Sequence, residues 1–319
     1  MTESRSVWLP YRPADFPGRL PEGLTYHHWD GHGAYPSDPA ELRFLVPPPV
    51  PEMQQRILGG LLPRVERLEV LQLLSSGHDY LEPYRHLLPG AAQVATARGV
   101  HGEATAELAV TLLLAAARGL DHFFRQQWAR QWQPRGFTTV SGKRVLVVGQ
   151  GPVGSAVATR LTPFGCHVVR MARTARDTVD GRVHGVAELP ALLPTVDAVV
   201  LCAPLTDETR DLLDAARLAL LKDGAVLVNV GRGELVDTTA LVRAVEQGRL
   251  RVALDVTDPE PLPVGHALWR LPGTLVTPHT GAFTDAFVPA SLAFLVDQLR
   301  RYAAGETLAN LVPLMAGAR

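Results

Sequence analysis

VLVVGQGPVGSAVATRL, residues 145–161, runs four apolar residues into three spaced glycines and then into a segment with helical spacing of Ala, Val and Leu. A Gly-x-Gly-x-x-Gly pattern by itself marks either a tight turn between strand and helix or a loop built to hold phosphate. The surrounding chain decides between them. From Lys143 onward, apolar runs recur at KRVLVVG (143–149), HVVRMA (167–172), DAVVLCA (197–203), AVLVNV (225–230), RVALDV (251–256) and TLVT (274–277), most of them separated by helical segments. Continuous runs, rather than alternating ones, belong to strands covered on both faces, and so to a parallel sheet flanked by helices. In that setting Gly149, Gly151 and Gly154 follow the first strand and open a helix. The first permits the tight turn, the second admits a pyrophosphate against the backbone, and the third lets helix pack on strand. The helix N-terminus presents free N–H groups and the positive end of its dipole. Pro152 has no N–H to give but suits the first helical position, and it joins Val153 among the cofactor-binding candidates.

The next strand bears on which dinucleotide is held. An NAD site places Asp or Glu at the end of the second strand, about twenty residues on, to bind the ribose hydroxyls. Here that strand ends RMARTARD, and the acidic position, counted from Phe164-Gly165, falls on Ala172, with Arg173, Thr174 and Arg176 behind it. Arginines pair with a 2′-phosphate that an acid would repel. The expectation is NADP(H) in preference to NAD(H), with NAD possible.

Composition narrows the class. The chain has 319 residues, enough for two domains, and is 46% hydrophobic and 20% charged with a formal net charge of −1. That balance gives no electrostatic case for nucleic acid or an acidic membrane surface. Only Lys143 and Lys222 among 31 basic residues are lysines, which reads as base composition rather than function. Cys166 and Cys202 lie in apolar segments and read as reduced thiols rather than a disulfide or metal site. The start, MTESRSVWLPYRP, lacks the basic-then-apolar order of a signal peptide. The most apolar helical run, residues 108–117, is about half of what a bilayer needs. A cytoplasmic protein is expected, with no metal.

Residues 1 to about 100 carry short apolar runs, ELRFLV (41–46), LEVLQLL (68–74) and AQVATA (92–97), with helical candidates such as MQQRILGGLLPRVERL (53–68) between them. This alternation reads as a small parallel α/β unit. VPPPVP (46–51) reads as a stiff surface loop, and Tyr26, His27, His28 and His32 as a loop cluster without metal-ligand spacing. EATAELAVTLLLAAARGL (103–120) reads as one long helix buried on most faces, at a domain or subunit contact. Trp128 and Trp132 read as core or interface packing.

Three later segments place a polar group just past a buried strand: NVGRGELVD (229–237) with Arg232, LDVTDPEPLP (254–263) with Glu260, and TPHTGAFT (277–284) with His279. Open parallel sheets keep their sites at those strand ends. A lone histidine there is ordinary; an arginine, a carboxylate and a histidine on successive strand ends of one sheet are hard to dismiss.

With GQGPVG, LCAPLTDETRDLL, LLSSGHDYLE, ARGVHGEATAELAVTLLLA and GETLANLVPL, these segments resemble the D-isomer-specific 2-hydroxyacid dehydrogenase family, from about Leu71 to the end. The resemblance implies an α/β fold: a Rossmann doubly wound parallel sheet, residues 100–284, inserted into a smaller flavodoxin-like substrate-binding domain formed by residues 1–99 and 285–319. It implies that Arg232 holds the substrate carboxylate and carbonyl oxygen, that His279 is the acid protonating that oxygen, and that Glu260 orients the imidazole and favours its protonated form. Asp255 is implied near the nicotinamide carboxamide, with further cofactor contacts at Ala203, Pro204, Thr209, Val230, Gly231 and Gly281. Ser76 and Gly77 amides are implied to complete carboxylate binding.

His78 departs from the family, which commonly has an aliphatic residue there, and is counted as a substrate-binding candidate. Thr257-Asp258 replaces a more usual aromatic-acid pair. The reading is an NAD(P)H-dependent reductase of a small 2-oxoacid, of glyoxylate or hydroxypyruvate type, and a homodimer by the same resemblance. The alternative is a dinucleotide-sensing, corepressor-like binding module on this fold.

Overall fold

The polypeptide divides into two units, residues 1–101 with 285–319 and residues 102–284. The computed structural model describes residues 5–49 and 57–313. The smaller unit is built on a five-stranded, wholly parallel sheet of β1 (Arg5–Leu9), β2 (Leu24–His28), β3 (Leu42–Leu45), β4 (Val70–Gln72) and β5 (Gln93–Ala95). Its order, β2-β1-β3-β4-β5, is that of flavodoxin-like sheets. β3, β4 and β5 fall in the three apolar runs noted above. β1 and β2 escape the sequence reading because RSVWL is mixed in polarity and LTYHH forms an edge with little burial. Tyr26, His27 and His28 therefore lie on a strand and not in a loop.

Of the helical candidate at 53–68, residues 57–61 are helical and Leu62–Arg64 form a tighter turn; residues 53–56, like 50–51 of the proline run, lie outside the described residues. The helix Phe287–Ala304 belongs to this unit although it follows the larger one in sequence. Its Gln298 Nε2 donates to Gln72 Oε1 at 2.6 Å, its Tyr302 hydroxyl donates to Glu69 Oε2 at 2.8 Å, and Arg5 donates to the Tyr302 and Ala303 carbonyls. These bonds join segments far apart in sequence and close the unit.

The larger unit carries β6 (Arg144–Val148), β7 (His167–Met171), β8 (Arg176–Thr178), β9 (Gly181–His184), β10 (Ala198–Leu201), β11 (Ala225–Asn229), β12 (Leu250–Leu254) and β13 (Thr274–Val276). Their order is β13-β12-β11-β10-β6-β7-β9-β8, parallel throughout except for the β8–β9 hairpin, which the sequence reading did not foresee. Taking β6 as the first strand, this is the doubly wound order, reversing between β6 and β10. Leu146, Val148, Val199 and Leu201 pack into a core on one face, while Val145, Val147, Val200, Val226 and Val228 pack on the other. That is why their runs are continuous: successive side chains point to opposite faces, and both faces are buried.

The helix Gly102–Ala117 covers the second face with Ala106, Ala109, Leu112, Leu113 and Ala116, leaving Glu103, Glu107 and Thr111 exposed along one stripe. It ends earlier than expected. Gly119 takes a left-handed φ of 66°, the Phe137 ring sits where its Cβ would be, and a second helix, Leu120–Trp128, begins there. Trp128 and Trp132 are 88% and 97% exposed on this chain, so neither is core. Asp121 on the second helix is buried instead; its carboxylate accepts from Arg125 Nη2 at 2.6 Å and the Gly273 N–H at 2.9 Å, and pairs with Arg251. Cys166 is buried, Cys202 half-buried, and neither forms a disulfide.

Candidate active site

The glycine loop leaves β6 where the strand order reverses. Gly149 has φ 100°, and a Cβ there would fall 2.8 Å from the Cys202 carbonyl carbon and oxygen just past β10, so only glycine allows this approach. Gly151 caps the helix Pro152–Leu161 from an extended conformation, and Pro152 is its first residue. A Cβ on Gly154 would lie 1.8 Å from the Gly149 carbonyl oxygen, which fixes how closely this helix packs on the loop. The first-turn N–H groups of Val153 and Gly154 have no acceptor within the helix. Backbone this close, with a helix N-terminus opening at the sheet's C-terminal edge, fits a dinucleotide pyrophosphate.

Around it stand the other cofactor candidates. Ala203 and Val230 are buried at the ends of β10 and β11. The Thr209 hydroxyl donates to the Pro204 carbonyl at 2.8 Å and accepts from the Thr206 N–H at 2.7 Å, closing the loop after β10. Beyond β7, Arg173 and Thr174 are exposed and Arg176 opens the β8–β9 hairpin, with Nη1 donating to the Thr174 carbonyl at 3.4 Å.

Three strand-end loops of this unit are laced together. Asp255, 2% exposed, follows β12; its Oδ1 accepts from Thr277 Oγ1 at 2.6 Å and the Thr280 N–H at 2.9 Å, and its Oδ2 from the Gly281 N–H at 2.9 Å. Its main-chain carbonyl accepts from the His279 N–H at 2.8 Å. A Cβ on Gly281 would stand 3.0 Å from Asp255 Oδ2, so the turn is wrapped tightly around this carboxylate. His279 sits on the turn at φ 50°, a left-handed backbone that non-glycine residues seldom adopt, and is held there by these bonds. Its Nδ1 meets Glu260 Oε1 at 2.5 Å. The carboxylate accepts from Nδ1–H, which leaves Nε2 as the nitrogen free for chemistry. Both side chains remain solvent-accessible.

The Arg232 loop leaves β11. A Cβ on Gly233 would lie 2.1 Å from the Thr257 carbonyl, so this loop presses against the segment leading to Glu260. Arg232 is half-buried, with Nη1 donating to the Gly231 carbonyl at 2.8 Å. Asn229, Thr277 and Gly233, which the sequence reading passed over, supply much of the lacing. The available signal was a polar residue closing an otherwise apolar run, as in AVLVN. Ser76, Gly77 and His78 follow β4 in the smaller unit. There Ser75 Oγ donates to the Gly77 carbonyl at 2.8 Å, and His78 Nδ1 is buried without a hydrogen-bond partner.

A doubly wound sheet with a glycine-rich dinucleotide loop, and a carboxylate-held imidazole beside an arginine loop at its strand ends, defines a dinucleotide-dependent dehydrogenase. The family model described as D-isomer specific 2-hydroxyacid dehydrogenase, NAD binding domain, matches residues 110–281. A glyoxylate reductase of Thermococcus kodakarensis is 33% identical over 279 residues, 82% of this chain and 81% of its own. A glyoxylate reductase of Aeropyrum pernix is 34% identical over 271 residues, 82% of this chain and 81% of its own. Among solved structures, a D-isomer specific 2-hydroxyacid dehydrogenase from Xanthobacter autotrophicus Py2, in complex with NADPH and MES, matches with TM-score 0.78 at 31% identity, covering 97% of this chain and 98% of that one. A family protein from Aeromonas salmonicida matches with TM-score 0.82 at 27% identity, covering 97% and 99%. The chain belongs to the D-isomer specific 2-hydroxyacid dehydrogenase family and is an NAD(P)-dependent oxidoreductase.

Proposed function

We propose that the protein reduces a small 2-oxoacid, of the size of glyoxylate or hydroxypyruvate, to the D-2-hydroxyacid, with NADPH preferred to NADH. The observation that carries this reading is the His279–Glu260 pair, fixed on the turn around Asp255 and tied through Gly233 and Thr257 to the Arg232 loop. Arg232 binds and orients the substrate carboxylate and carbonyl oxygen through its planar fork. His279 donates a proton from Nε2 to that oxygen, and Glu260 holds Nδ1–H so that Nε2 keeps its aim. The nicotinamide, when bound, supplies the hydride. Gly149, Gly151, Val153 and Gly154 hold its pyrophosphate. The names of the Thermococcus and Aeropyrum relatives, and the NADPH in the Xanthobacter structure, support the substrate class and the cofactor.

The test is steady-state oxidation of NADPH and NADH with glyoxylate and hydroxypyruvate. Arg173 and Arg176 follow Ala172 where an acidic residue would repel a 2′-phosphate. A charge-assisted hydrogen bond contributes about 1.5–3 kcal/mol, so kcat/KM for NADPH is expected to exceed that for NADH by about tenfold or more. Arg173→Ala is expected to remove most of that margin with little effect on NADH. A native preference for NADH would end the cofactor reading, and no turnover of either oxoacid would end the substrate reading.

The protein is further proposed to act as a homodimer in the cytoplasm. Two free thiols suit a reducing compartment, and no helix among the described residues is long and apolar enough to cross a membrane. Phe124, Trp128 and Trp132 are exposed on and after the helix Leu120–Trp128, large apolar groups of the kind a subunit contact covers. Light scattering should give a dimer mass, and Trp128→Arg with Trp132→Arg should shift it toward monomer. A native monomer would refute the assembly.

A further inference from the structure

We propose that Asn229 is the positioning residue that sets the aim of Arg232; this rests on the reading of Arg232 as the group that binds the substrate carboxylate. Asn229 closes β11 and is 2% exposed. Its Oδ1 accepts from the Gly231 N–H at 3.0 Å and its Nδ2 donates to the Arg232 carbonyl at 2.7 Å. Its own main-chain carbonyl accepts from the Asp255 N–H at 2.9 Å. One side chain therefore grips the loop on both sides of the Gly231–Arg232 peptide, while its backbone ties that grip to the residue holding the His279 turn.

The two partners dictate the residue type. The Gly231 N–H can only donate and the Arg232 carbonyl can only accept, so the side chain between them must offer one acceptor and one donor about an amide's width apart. Asparagine does. Aspartate would set a carboxylate oxygen against the Arg232 carbonyl, and an apolar residue would leave both groups without the partner they have here. The bond that Arg232 Nη1 makes to the Gly231 carbonyl carries the effect outward. The guanidinium is braced against the same glycine that Asn229 holds, so rotation of that peptide swings the brace and the fork together. Gly231 has little room to move otherwise, since a Cβ on it would meet the Ala203 carbonyl oxygen at 2.7 Å and Leu235 at 2.8 Å.

The experiment compares Asn229→Ala, Asn229→Asp and Arg232→Gln with the native enzyme, reading KM for glyoxylate, Ki for oxalate as a probe of carboxylate binding, kcat, and NADPH affinity by nicotinamide fluorescence. Asn229→Ala is expected to raise KM and Ki by about tenfold, because a guanidinium displaced from its aim no longer meets the carboxylate squarely. NADPH affinity should fall by less than oxalate affinity does, because Gly149, Gly151 and Gly154 are untouched while Gly231, itself a cofactor candidate, shifts. Asn229→Asp should show the same defect at neutral pH. It should recover toward the native values as pH falls and the buried carboxyl, once protonated, donates to the Arg232 carbonyl again; each value is compared with native enzyme at the same pH. A purely structural role would lower the unfolding midpoint without that recovery.

If Arg232→Gln raises KM and Ki while Asn229→Ala leaves both within about twofold, the positioning role is wrong and the carboxylate reading survives. If Arg232→Gln also leaves both unchanged, the carboxylate reading itself falls and takes this proposal with it. Should Asn229→Ala fail to fold, the pH response of Asn229→Asp decides, and its absence overturns the proposal.

Discussion

Replacing His279 with Asn is expected to lower kcat for 2-oxoacid reduction by about 10²–10⁴-fold, the range for loss of a positioned general acid. Asn is the informative choice because His279 sits at φ 50°. Asn enters the left-handed region readily, whereas Ala would add backbone strain to the loss of the imidazole and blur the reading. The Asn side chain can donate a hydrogen bond to a carbonyl oxygen but cannot deliver a proton to it, so catalysis should fall while KM changes little. That pattern marks an interaction made in the transition state and not in the ground state. His279→Ala should fall at least as far. Since Glu260 acts only through the ring, at 2.5 Å from Nδ1, Glu260→Gln should lower kcat by a smaller factor. A rate within about threefold of native for His279→Asn would remove the histidine from the chemistry altogether.

The second large effect is on stability. Asp121→Ala is expected to cost about 3–5 kcal/mol, the penalty for breaking a buried ion pair from one side. Asp121 is 4% exposed and receives three protein donors, Arg125, Arg251 and the Gly273 N–H. Without it the Gly273 N–H has no acceptor, and the Arg251 guanidinium, stacked over the Phe137 ring, keeps only its bond to the Ala116 carbonyl. Urea unfolding should show the midpoint falling with an unchanged slope. A midpoint equal to the native one would mean that the cluster contributes nothing.

The same group gives the sign of one pH effect. Burial alone would raise the Asp121 carboxyl, but the Gly273 N–H and the two arginines outweigh burial and hold it below the usual carboxylate range. Its folded value lies under its unfolded value, so its contribution is complete above about pH 4 and is lost as pH falls through the folded value. Asp121→Asn should flatten the acid limb of the native stability curve.

The larger unit was legible because its strands are covered on both faces, which forces continuous apolar runs, and because Gly149 and Gly154 answer to backbone distances that no other residue meets. The smaller unit was half legible. β1 is mixed in polarity although its side chains are mostly buried, and β2 is an edge whose LTYHH pattern carries neither alternation nor a run. The helix read to Leu120 ends at Ala117, and Phe137, arriving from another part of the sequence, fills the place a Cβ on Gly119 would take. For Trp128 and Trp132 only the core half of the reading is overturned, because a tryptophan's apolar area says that it should be covered without saying by what.

The order of the residues determined by itself that this is a parallel-sheet chain with a dinucleotide loop and with Arg232, Glu260 and His279 on successive strand ends. Period, glycine spacing and strand-end polarity are local properties that survive in one dimension. Only the tertiary structure decided that Glu260 reaches the imidazole, that Asp255 is wrapped by the His279 turn, and that the Asn229 carbonyl meets the Asp255 N–H. Those facts depend on which strands lie side by side in the sheet. β11, β12 and β13 bring their loops within hydrogen-bond reach through contacts between residues twenty or more positions apart, and such reach is set by packing and not by spacing along the chain.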